Sequence, residues 1–211
     1  MQTLYFDTLP STQLYLKELI KENKIDNSLA IIADMQTDGI GSRDNSWNSR
    51  KGNLFLSFAV KLESLPSDLK LASASIYFSY ILKETLSDFG SKIMLKWPND
   101  LYLEDKKVAG MITNIIGDYL VCGVGVNLKS SDLEFASLDV EIDKKNLIKQ
   151  YFINIEKKTL WKQVFSKYEL NFQTNKNFFT HIKGKKVSLS EAVLQNDGSL
   201  NINGERIYSL R

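Results

Sequence analysis

A charged corner and a lysine lie close together in one short part of the sequence. Lys96–Asp100 has the sequence Lys-Trp-Pro-Asn-Asp and follows the apolar run Ile93–Leu95. A polar turn at Glu104–Lys107 then leads into the apolar run Val108–Thr113, which contains a glycine at position 110. Two such runs around a polar turn predict a β-hairpin that brings the corner opposite Lys107. This concentration of charged and hydrogen-bonding groups indicates a binding or catalytic site.

Glycines mark two further segments. Met35–Asn53 is irregular and contains Gly39, Gly41, Gly52 and a tryptophan in a polar setting, Trp47. A long irregular segment inside a compact domain favours a functional loop, although an ordinary surface loop stays open. The pattern is not a dinucleotide-binding fingerprint, because the third glycine and the following helix are missing.

Gly123 and Gly125 interrupt the apolar run Tyr119–Asn127. Glycine weakens a strand interior, so the pair indicates close approach by another backbone or by a flat ligand. Cys122, directly before Gly123, is predicted to be a small core residue.

Composition excludes several classes of protein. The chain has 211 residues with a net charge of +2, so no strong field favours nucleic acid or a membrane surface. A single cysteine excludes an internal disulfide framework and favours a cytoplasmic setting, and the first residues do not form a signal peptide. One histidine, His181, makes a Ser-His-Asp or metal–histidine site improbable, and no Gly-x-x-x-x-Gly-Lys phosphate loop is present.

The elements that must position these residues follow from hydrophobic periodicity. Strands are predicted at 4–6, 29–33 and 54–60, with a hairpin turn at Gly117–Asp118. Helices are predicted to begin at Pro10–Thr12, with Ser11 or Thr12 as N-cap, and to cover Ser67–Phe89 and Asn146–Asn171. This order predicts an α+β fold with a mixed, mostly antiparallel sheet and helices packed on it.

The last part of the chain has a different hydrophobic pattern. From Gly184 onward, short alternating runs are separated by turns at 196–198 and 203–204. Such a module is too small to be stable alone and should dock on the main domain. We predict a catalytic domain at 1–178 and a β-module at 179–211.

Three ordered segments together resemble the biotin–protein ligases. Gly39–Trp47 is similar to the family's biotin loop, Gly-Arg-Gly-Arg-x-Gly-Arg-x-Trp, although Ile40 and Ser42 replace two arginines. Lys96–Asp100 with Lys107-x-x-Gly110 matches the family's Lys-Trp-Pro-Asn-Asp and Lys-x-x-Gly. Gly123–Asn127 matches Gly-x-Gly-x-Asn. Weaker similarity covers the beginning, Pro10–Gln13, and the end, Asn203–Leu210.

The resemblance implies a fold and an activity. It implies the fold of biotin and lipoate ligases and class II synthetases, a shortened SH3-like C-terminal module, and a monofunctional form without a DNA-binding domain. The activity would be that of a biotin–[acetyl-CoA-carboxylase] ligase using ATP, Mg²⁺ and biotin. Biotin would be activated as biotinyl-5′-AMP and transferred to a lysine of a biotin carboxyl carrier protein. The enzyme would be a monomer or a homodimer.

The resemblance also implies roles for individual residues. Catalytic roles fall to Lys107 as the central cation, to Asp100 as its orienting partner or an aid in holding Mg²⁺, and to Arg43. Biotin would be bound by Ser11, Thr12, Gln36, Gly39, Gly41, Lys107 and Gly110. ATP and the adenylate would be bound by Arg43, Trp47, Lys96, Asn99, Lys107, Gly125 and Asn127.

Alternatives remain open at this point. For Lys96 the alternative to contacting phosphate is a position flanking a strand, and for Asn99 it is fixing its turn. For Trp47 the alternative is anchoring its loop, and for Asn127 it is an ordinary strand end. A lipoate or octanoyl protein ligase shares the fold resemblance and acyl-transfer logic. A non-catalytic biotin-binding regulator is the alternative outside enzymes.

Overall fold

A seven-stranded sheet forms the centre of the protein. The structure, a computed structural model, describes residues 1–41, 45–47, 49–129, 136–182 and 184–208. The strands follow the order β1-β2-β3-β7-β6-β5-β4; β1 and β2 are parallel and the other neighbours antiparallel. They are β1 (Gln2–Leu9), β2 (Leu29–Gln36), β3 (Leu54–Lys61), β4 (Met94–Lys96), β5 (Asp100–Leu103), β6 (Lys106–Ile116) and β7 (Tyr119–Val126).

Helices cover the two faces of this sheet unequally. Helix α1 (Thr12–Lys21) packs on one face, against β2, β3 and β7. The opposite face carries α2 (Ala74–Asp88), α3 (Lys144–Glu156) and α4 (Trp161–Phe172). The predicted α+β class with a mixed, mostly antiparallel sheet is therefore confirmed. In the part of the chain that the structure describes, no helix has the length and apolar character needed to cross a bilayer.

Alternation along the central strands separates two environments. Leu54, Leu56 and Phe58 of β3 point into the main core beneath α2 and α3. Ala59 belongs to the smaller cluster under α1. Because side chains alternate across a strand, Ser57 lies on the α1 face as well. The three-helix face is thus a dense core, and the α1 face has room for a site.

The helix predicted at Ser67–Phe89 is wrong at its beginning. Residues 71–73 form a short 3₁₀ turn and α2 begins only at Ala74. Asp68 is used elsewhere, because its carboxylate accepts hydrogen bonds at 2.7 and 3.0 Å from the backbone N–H groups of Trp161 and Lys162. It therefore caps α4. At the other end Gly90, with φ +96°, ends α2 as predicted.

The single helical stretch predicted at Asn146–Asn171 is also wrong. The chain leaves α3 at Glu156, takes a left-handed conformation at Lys158 (φ +47°) and re-enters a helix at Trp161. The periodicity continues across the break because both helices present apolar residues to the same core. Periodicity alone cannot detect such a corner.

The C-terminal segment forms two small sheets. One pairs β8 (Phe179–Ile182) with β9 (Lys185–Ser188); the other contains β10 (Val193–Leu194), β11 (Leu200–Ile202) and β12 (Glu205–Ile207). Leu200 and Ile202 belong to the main core, and the indole N–H of Trp97 donates to the Gly198 carbonyl at 2.8 Å. The segment packs directly on the rest of the chain. The domain boundary at residue 178 stays a prediction.

Candidate active site

A pocket opens on the α1 face, where the beginning of α1 meets β3, β7, β6 and the loop at 39–47. Its walls combine hydroxyl, amide, charged and apolar groups with bare glycine backbone. The lining residues are Ser11, Thr12, Gln13, Gln36, Ile40, Gly41, Trp47, Ser57, Asp100, Lys107, Gly110, Met111, Ile112, Gly123, Val124 and Gly125.

The first residues of α1 join a hydrogen-bonded network in the pocket floor. Ser11 is the N-cap of α1, and its hydroxyl accepts from the Leu14 N–H at 3.4 Å. The N–H and hydroxyl of Thr12 both donate to Gln36 Oε1, at 2.9 and 3.1 Å. The hydroxyls of Thr12 and Ser57 are 2.8 Å apart. The cap role and the predicted site position therefore coexist.

Lys107 and Asp100 form an ion pair at the pocket wall. Lys107 Nζ lies 2.7 Å from Asp100 Oδ1, and both side chains are partly exposed. A Cβ atom on Gly110 would come within 3.1 Å of the Lys107 ammonium and 3.3 Å of the Asp100 carboxylate. The absence of a side chain at position 110 leaves this space to the ion pair. The ammonium also lies 5.4 Å from the ring centroid of Trp47, which adds a cation–π contact.

A β-bulge explains the Lys-x-x-Gly spacing. Asp100 pairs with Gly110 and Leu101 with Ala109, but Tyr102 pairs with Lys107, which leaves Val108 as an extra residue. In a regular strand, residues three apart point to opposite faces. The extra residue returns Lys107 to the face that holds Gly110 and Asp100. The hairpin turn itself contains only Glu104 and Asp105, so the predicted turn at Glu104–Lys107 is too long.

The two glycines of β7 are bare for different reasons. A Cβ atom on Gly123 would lie 2.5 Å from Gln13 Oε1. One on Gly125 would lie 2.4 Å from Cε2 of the Trp47 indole. Both approaches come from side chains of the same chain. A close approach is found as predicted, but it comes from two side chains, an amide and an indole, and not from a second backbone.

The loop at 39–47 is held as a small hairpin in its described part. The backbone N–H of Trp47 donates to Gly39 and that of Gly41 donates to Asn45, each at 2.7 Å. A Cβ atom on Gly39 would lie 2.6 Å from the Trp47 carbonyl oxygen, so only glycine fits there. Arg43 lies outside the described residues.

Trp47 fills much of the pocket. Its indole lies against Gly125, and its Nε1 is buried without a hydrogen-bond partner in the described part of the chain. The remaining free volume is about 40 Å³. Sites for small molecules usually enclose about 300–1,000 Å³. A ligand of biotin's size therefore requires the indole to move.

Four of the predicted site residues that the structure describes are not among the pocket-lining residues: Gly39, Lys96, Asn99 and Asn127. The Lys96 ammonium lies against the aromatic rings of Tyr102 and Phe178. Asn99 is 2% exposed and its amide donates to the Met111 carbonyl, which fixes the corner on β6. The Asn127 amide donates to Ala136 at 3.3 Å, and its oxygen accepts from Asn53 at 3.3 Å. The contact of Asn99 corresponds to the alternative that it fixes its turn, and the ATP-binding roles of Lys96, Asn99 and Asn127 stay predictions.

Sequence reasoning did not single out two of the polar lining residues, Ser57 and Gln13. Ser57 is the one hydroxyl in the apolar strand 54–60, and that polar interruption is a usable signal. Gln13 is the residue after Ser11 and Thr12, and nothing marks it apart from that adjacency. Its position depends on α1 crossing directly over Gly123.

Two ionisable side chains near the pocket, Tyr102 and Cys122, have raised pKa values. Burial, and then the nearby Asp100 carboxylate, raises the pKa of Tyr102 to about 12, so this phenol stays protonated. Burial raises the pKa of the Cys122 thiol, which points into the main core as predicted and is no nucleophile. No cluster of three histidine, cysteine or acidic side chains suited to a metal ion occurs among the described residues.

The sequence matches the Biotin/lipoate A/B protein ligase family over residues 5–127, more than half of the chain. The chain therefore belongs to this family. The matched range includes α1, the loop at 39–47, the Lys107–Asp100 pair and both β7 glycines, so it contains every residue that lines the pocket.

Individual relatives agree with this assignment. The chain is 35% identical over 133 residues to the bifunctional ligase/repressor BirA of Escherichia coli, covering 60% of this chain and 40% of that protein. It thus spans less than half the length of the first curated relatives it matches. The crystal structure of biotin acetyl coenzyme A carboxylase synthetase from Helicobacter pylori, with bound biotinylated ATP, has a TM-score of 0.94 at 38% identity, covering 98% of this chain and 99% of that one. The biotin protein ligase from Aquifex aeolicus in complex with biotin and ATP shares the fold, with a TM-score of 0.81 at 21% identity over 98% and 94% of the chains.

Proposed function

We propose that this protein is an ATP-dependent ligase that activates biotin as biotinyl-5′-AMP and transfers the biotinyl group to a lysine of a biotin carboxyl carrier protein. The observation that carries the proposal is the arrangement of the pocket. One end has a floor of hydroxyl and amide groups, and the other has a cation held by a carboxylate over bare glycine. A ligand that is polar at one end and anionic at the other fits this arrangement.

The first step joins two anions. A biotin carboxylate oxygen attacks the α-phosphorus of ATP, the new O–P bond forms, and the bond to the β-phosphate oxygen breaks to release pyrophosphate. No proton has to move, so the protein must neutralise charge and align the reactants. Lys107 is the cation placed for this, and its three rotatable donors can contact carboxylate and phosphate together. Asp100 orients it.

The second step transfers the biotinyl group. The carrier lysine amine attacks the carbonyl carbon of the mixed anhydride, the C–O bond to AMP breaks, and the amine loses a proton. Asp100 is a carboxylate in the pocket wall that can orient the incoming amine. Mg²⁺ would neutralise phosphate oxygens of ATP, and Asp100 is the acidic side chain of the pocket lining that could assist in holding it.

The remaining pocket residues bind the two halves of the intermediate. Ser11, Thr12 and Gln36 offer donors and acceptors to the ureido ring of biotin, and Gly41 and Gly110 let the ligand approach the backbone. Trp47, moved away from Gly125, supplies a flat surface for the adenylate, and Arg43 belongs to the same loop.

The polar floor favours biotin over lipoate or octanoate. Those acids have an apolar body that offers nothing to hydroxyl and amide groups, and burying unpaired polar groups is costly. The network of Thr12, Gln36 and Ser57 suits a ring that both donates and accepts hydrogen bonds. A cytoplasmic location, where carrier proteins and ATP meet, is part of this proposal.

The test is transfer to a carrier domain. The protein is incubated with ATP, Mg²⁺ and labelled biotin, octanoate or lipoate, together with a carrier domain or its Lys→Arg variant at the acceptor position. We expect label from biotin on the carrier and none on the Arg variant. Label from octanoate or lipoate alone would establish the lipoate-type alternative. Binding of biotin without any transfer would favour the regulator.

A further inference from the structure

Gln13 stands out in the pocket because one of its polar atoms is unused. The side chain is 3% exposed, and its Nε2 donates to Asn114 Oδ1 at 3.2 Å. Its carbonyl oxygen, Oε1, is buried and has no hydrogen-bond partner within the described residues. A buried acceptor without a partner destabilises a folded protein, so such atoms are rare and call for an explanation.

The position of this oxygen points to a ligand. Gln13 lines the pocket, and its Oε1 lies directly over Gly123, where a Cβ atom would be only 2.5 Å away. Gly123 pairs with Ser57 across the sheet, and Ser57 belongs to the polar floor. The unused acceptor is therefore part of the surface on which a ligand would rest.

The second amide acceptor of the floor, on Gln36, is already occupied. Gln36 Oε1 accepts from both the N–H and the hydroxyl of Thr12. A ligand that brings an N–H group thus finds in Gln13 an acceptor that requires no existing hydrogen bond to break. The orientation of the amide is fixed in advance, because its Nε2 is held by Asn114.

We infer that Gln13 is a specificity-determining residue whose side-chain carbonyl accepts a hydrogen bond from one ureido N–H of biotin. This inference rests on the proposed function and deepens it. A urea ring presents two N–H donors, whereas a carboxylic acid with an alkyl chain presents none, so Gln13 discriminates between the two substrate classes. Rejection of the wrong substrate is strong when it leaves a buried polar group unpaired.

The principal variant is Gln13→Met, which keeps the length of the side chain and removes the acceptor. We expect biotin affinity to fall about tenfold, as for the loss of one buried hydrogen bond. The thermal midpoint of the ligand-free protein should change little, because removal of an unpaired buried acceptor offsets the lost hydrogen bond to Asn114. A merely structural role would lower the midpoint. Gln163→Met, on the exposed surface of α4, is the matched control and should change neither quantity.

A second arm changes the ligand instead of the protein. Two biotin analogues, each with one ureido N–H replaced by a ring oxygen, are compared with biotin by calorimetry. One of them should bind the wild type about tenfold more weakly, yet bind Gln13→Met about as well as biotin does. Such non-additivity assigns the hydrogen bond to Gln13.

The outcomes separate this inference from the proposed function. If the wild type forms no biotinyl-adenylate, the proposed function fails and this inference falls with it. If the wild type activates biotin but Gln13→Met binds it equally well, only the role of Gln13 is overturned. Should Gln13→Met not fold, equal binding of biotin and both analogues by the wild type overturns the same claim.

Discussion

The two faces of the central sheet are built from the same strands and differ in almost every physical respect. On the face beneath α2 and α3, Phe58 contacts the rings of Phe78, Tyr151 and Phe152 edge-on at 5.5 to 6.0 Å. On the α1 face, the neighbouring residue Ser57 contacts a hydroxyl, and the facing positions of β7 are glycines.

This difference shows where the protein accepts incomplete packing. Two buried side-chain polar atoms of the pocket, Gln13 Oε1 and Trp47 Nε1, have no partner in the described chain. The Trp47 indole lies in the pocket against Gly125. We expect changes on the helix-covered face to affect stability, and changes on the α1 face to affect activity.

The largest effect should come from the core face. Phe58→Ala removes a fully buried ring and three edge-to-face contacts, so the free energy of unfolding should fall by about 3–5 kcal/mol. Urea denaturation measures this. At a temperature where the variant is folded, its KM for biotin should equal that of the wild type. Phe179→Ala, at a half-exposed ring, should cost less than about 1 kcal/mol. A raised KM of Phe58→Ala for biotin would contradict the expectation that changes on the helix-covered face affect stability and not activity.

The next effect should come from the pocket cation. Lys107→Ala should slow adenylate formation about 100- to 1,000-fold, the usual range for removing one group that stabilises developing charge. The thermal midpoint should hardly change, because the Lys107–Asp100 pair is partly exposed and such pairs contribute little stability. Lys106→Ala, at the exposed neighbour, is the control. Near-normal activity of Lys107→Ala would mean that another cation serves the reaction.

A smaller effect should follow from filling the space beneath Trp47. Gly125→Ala places a methyl group where the indole lies, so kcat/KM should fall about 10- to 100-fold through misplacement of the loop. In the double variant with Trp47→Ala, the methyl group has nothing to displace. The double variant should therefore be no worse than Trp47→Ala alone. Additive losses would show that Gly125 is bare for the ligand and not for the indole.

The smallest effect concerns Asp68, on the helix-covered side. Burial tends to raise the pKa of this carboxyl, but hydrogen bonds from the Lys162 and Trp161 N–H groups outweigh it and lower the pKa. A lowered pKa gives stability that is present above about pH 4 and lost as the pH falls through the folded value. Asp68→Ala should lower the free energy of unfolding by about 1 kcal/mol at pH 7, and by less at pH 3. Asp105→Ala, in an exposed turn, should show no such difference.

Much of this arrangement can be predicted from the sequence. Apolar runs locate the strands, and the hairpin pattern places Lys107 opposite Asp100, where the structure has a 2.7 Å ion pair. The Gly-x-Gly of β7 correctly indicates close approach. These features depend on residues that are close together in the sequence, so hydrophobic and turn patterns can predict them.

The remaining features depend on contacts between distant parts of the chain. The bulge at Val108 sets the face of the sheet on which the Lys107 side chain lies, and no residue type in the sequence indicates this bulge. Asp68 is not part of α2, because its carboxylate caps α4, which begins more than ninety residues later. Lys96 lies against the rings of Tyr102 and Phe178 and does not line the pocket, and Phe178 is distant from it in the sequence.

The central claim is that the pocket on the α1 face activates the carboxylate of biotin as an adenylate. Isotope exchange between ATP and pyrophosphate, without any carrier protein, tests this claim most directly. We expect exchange that requires biotin, is not supported by octanoate or lipoate, and falls about 100- to 1,000-fold in Lys107→Ala but is kept in Lys106→Ala. Exchange without biotin, exchange driven by octanoate, or undiminished exchange in Lys107→Ala would contradict it.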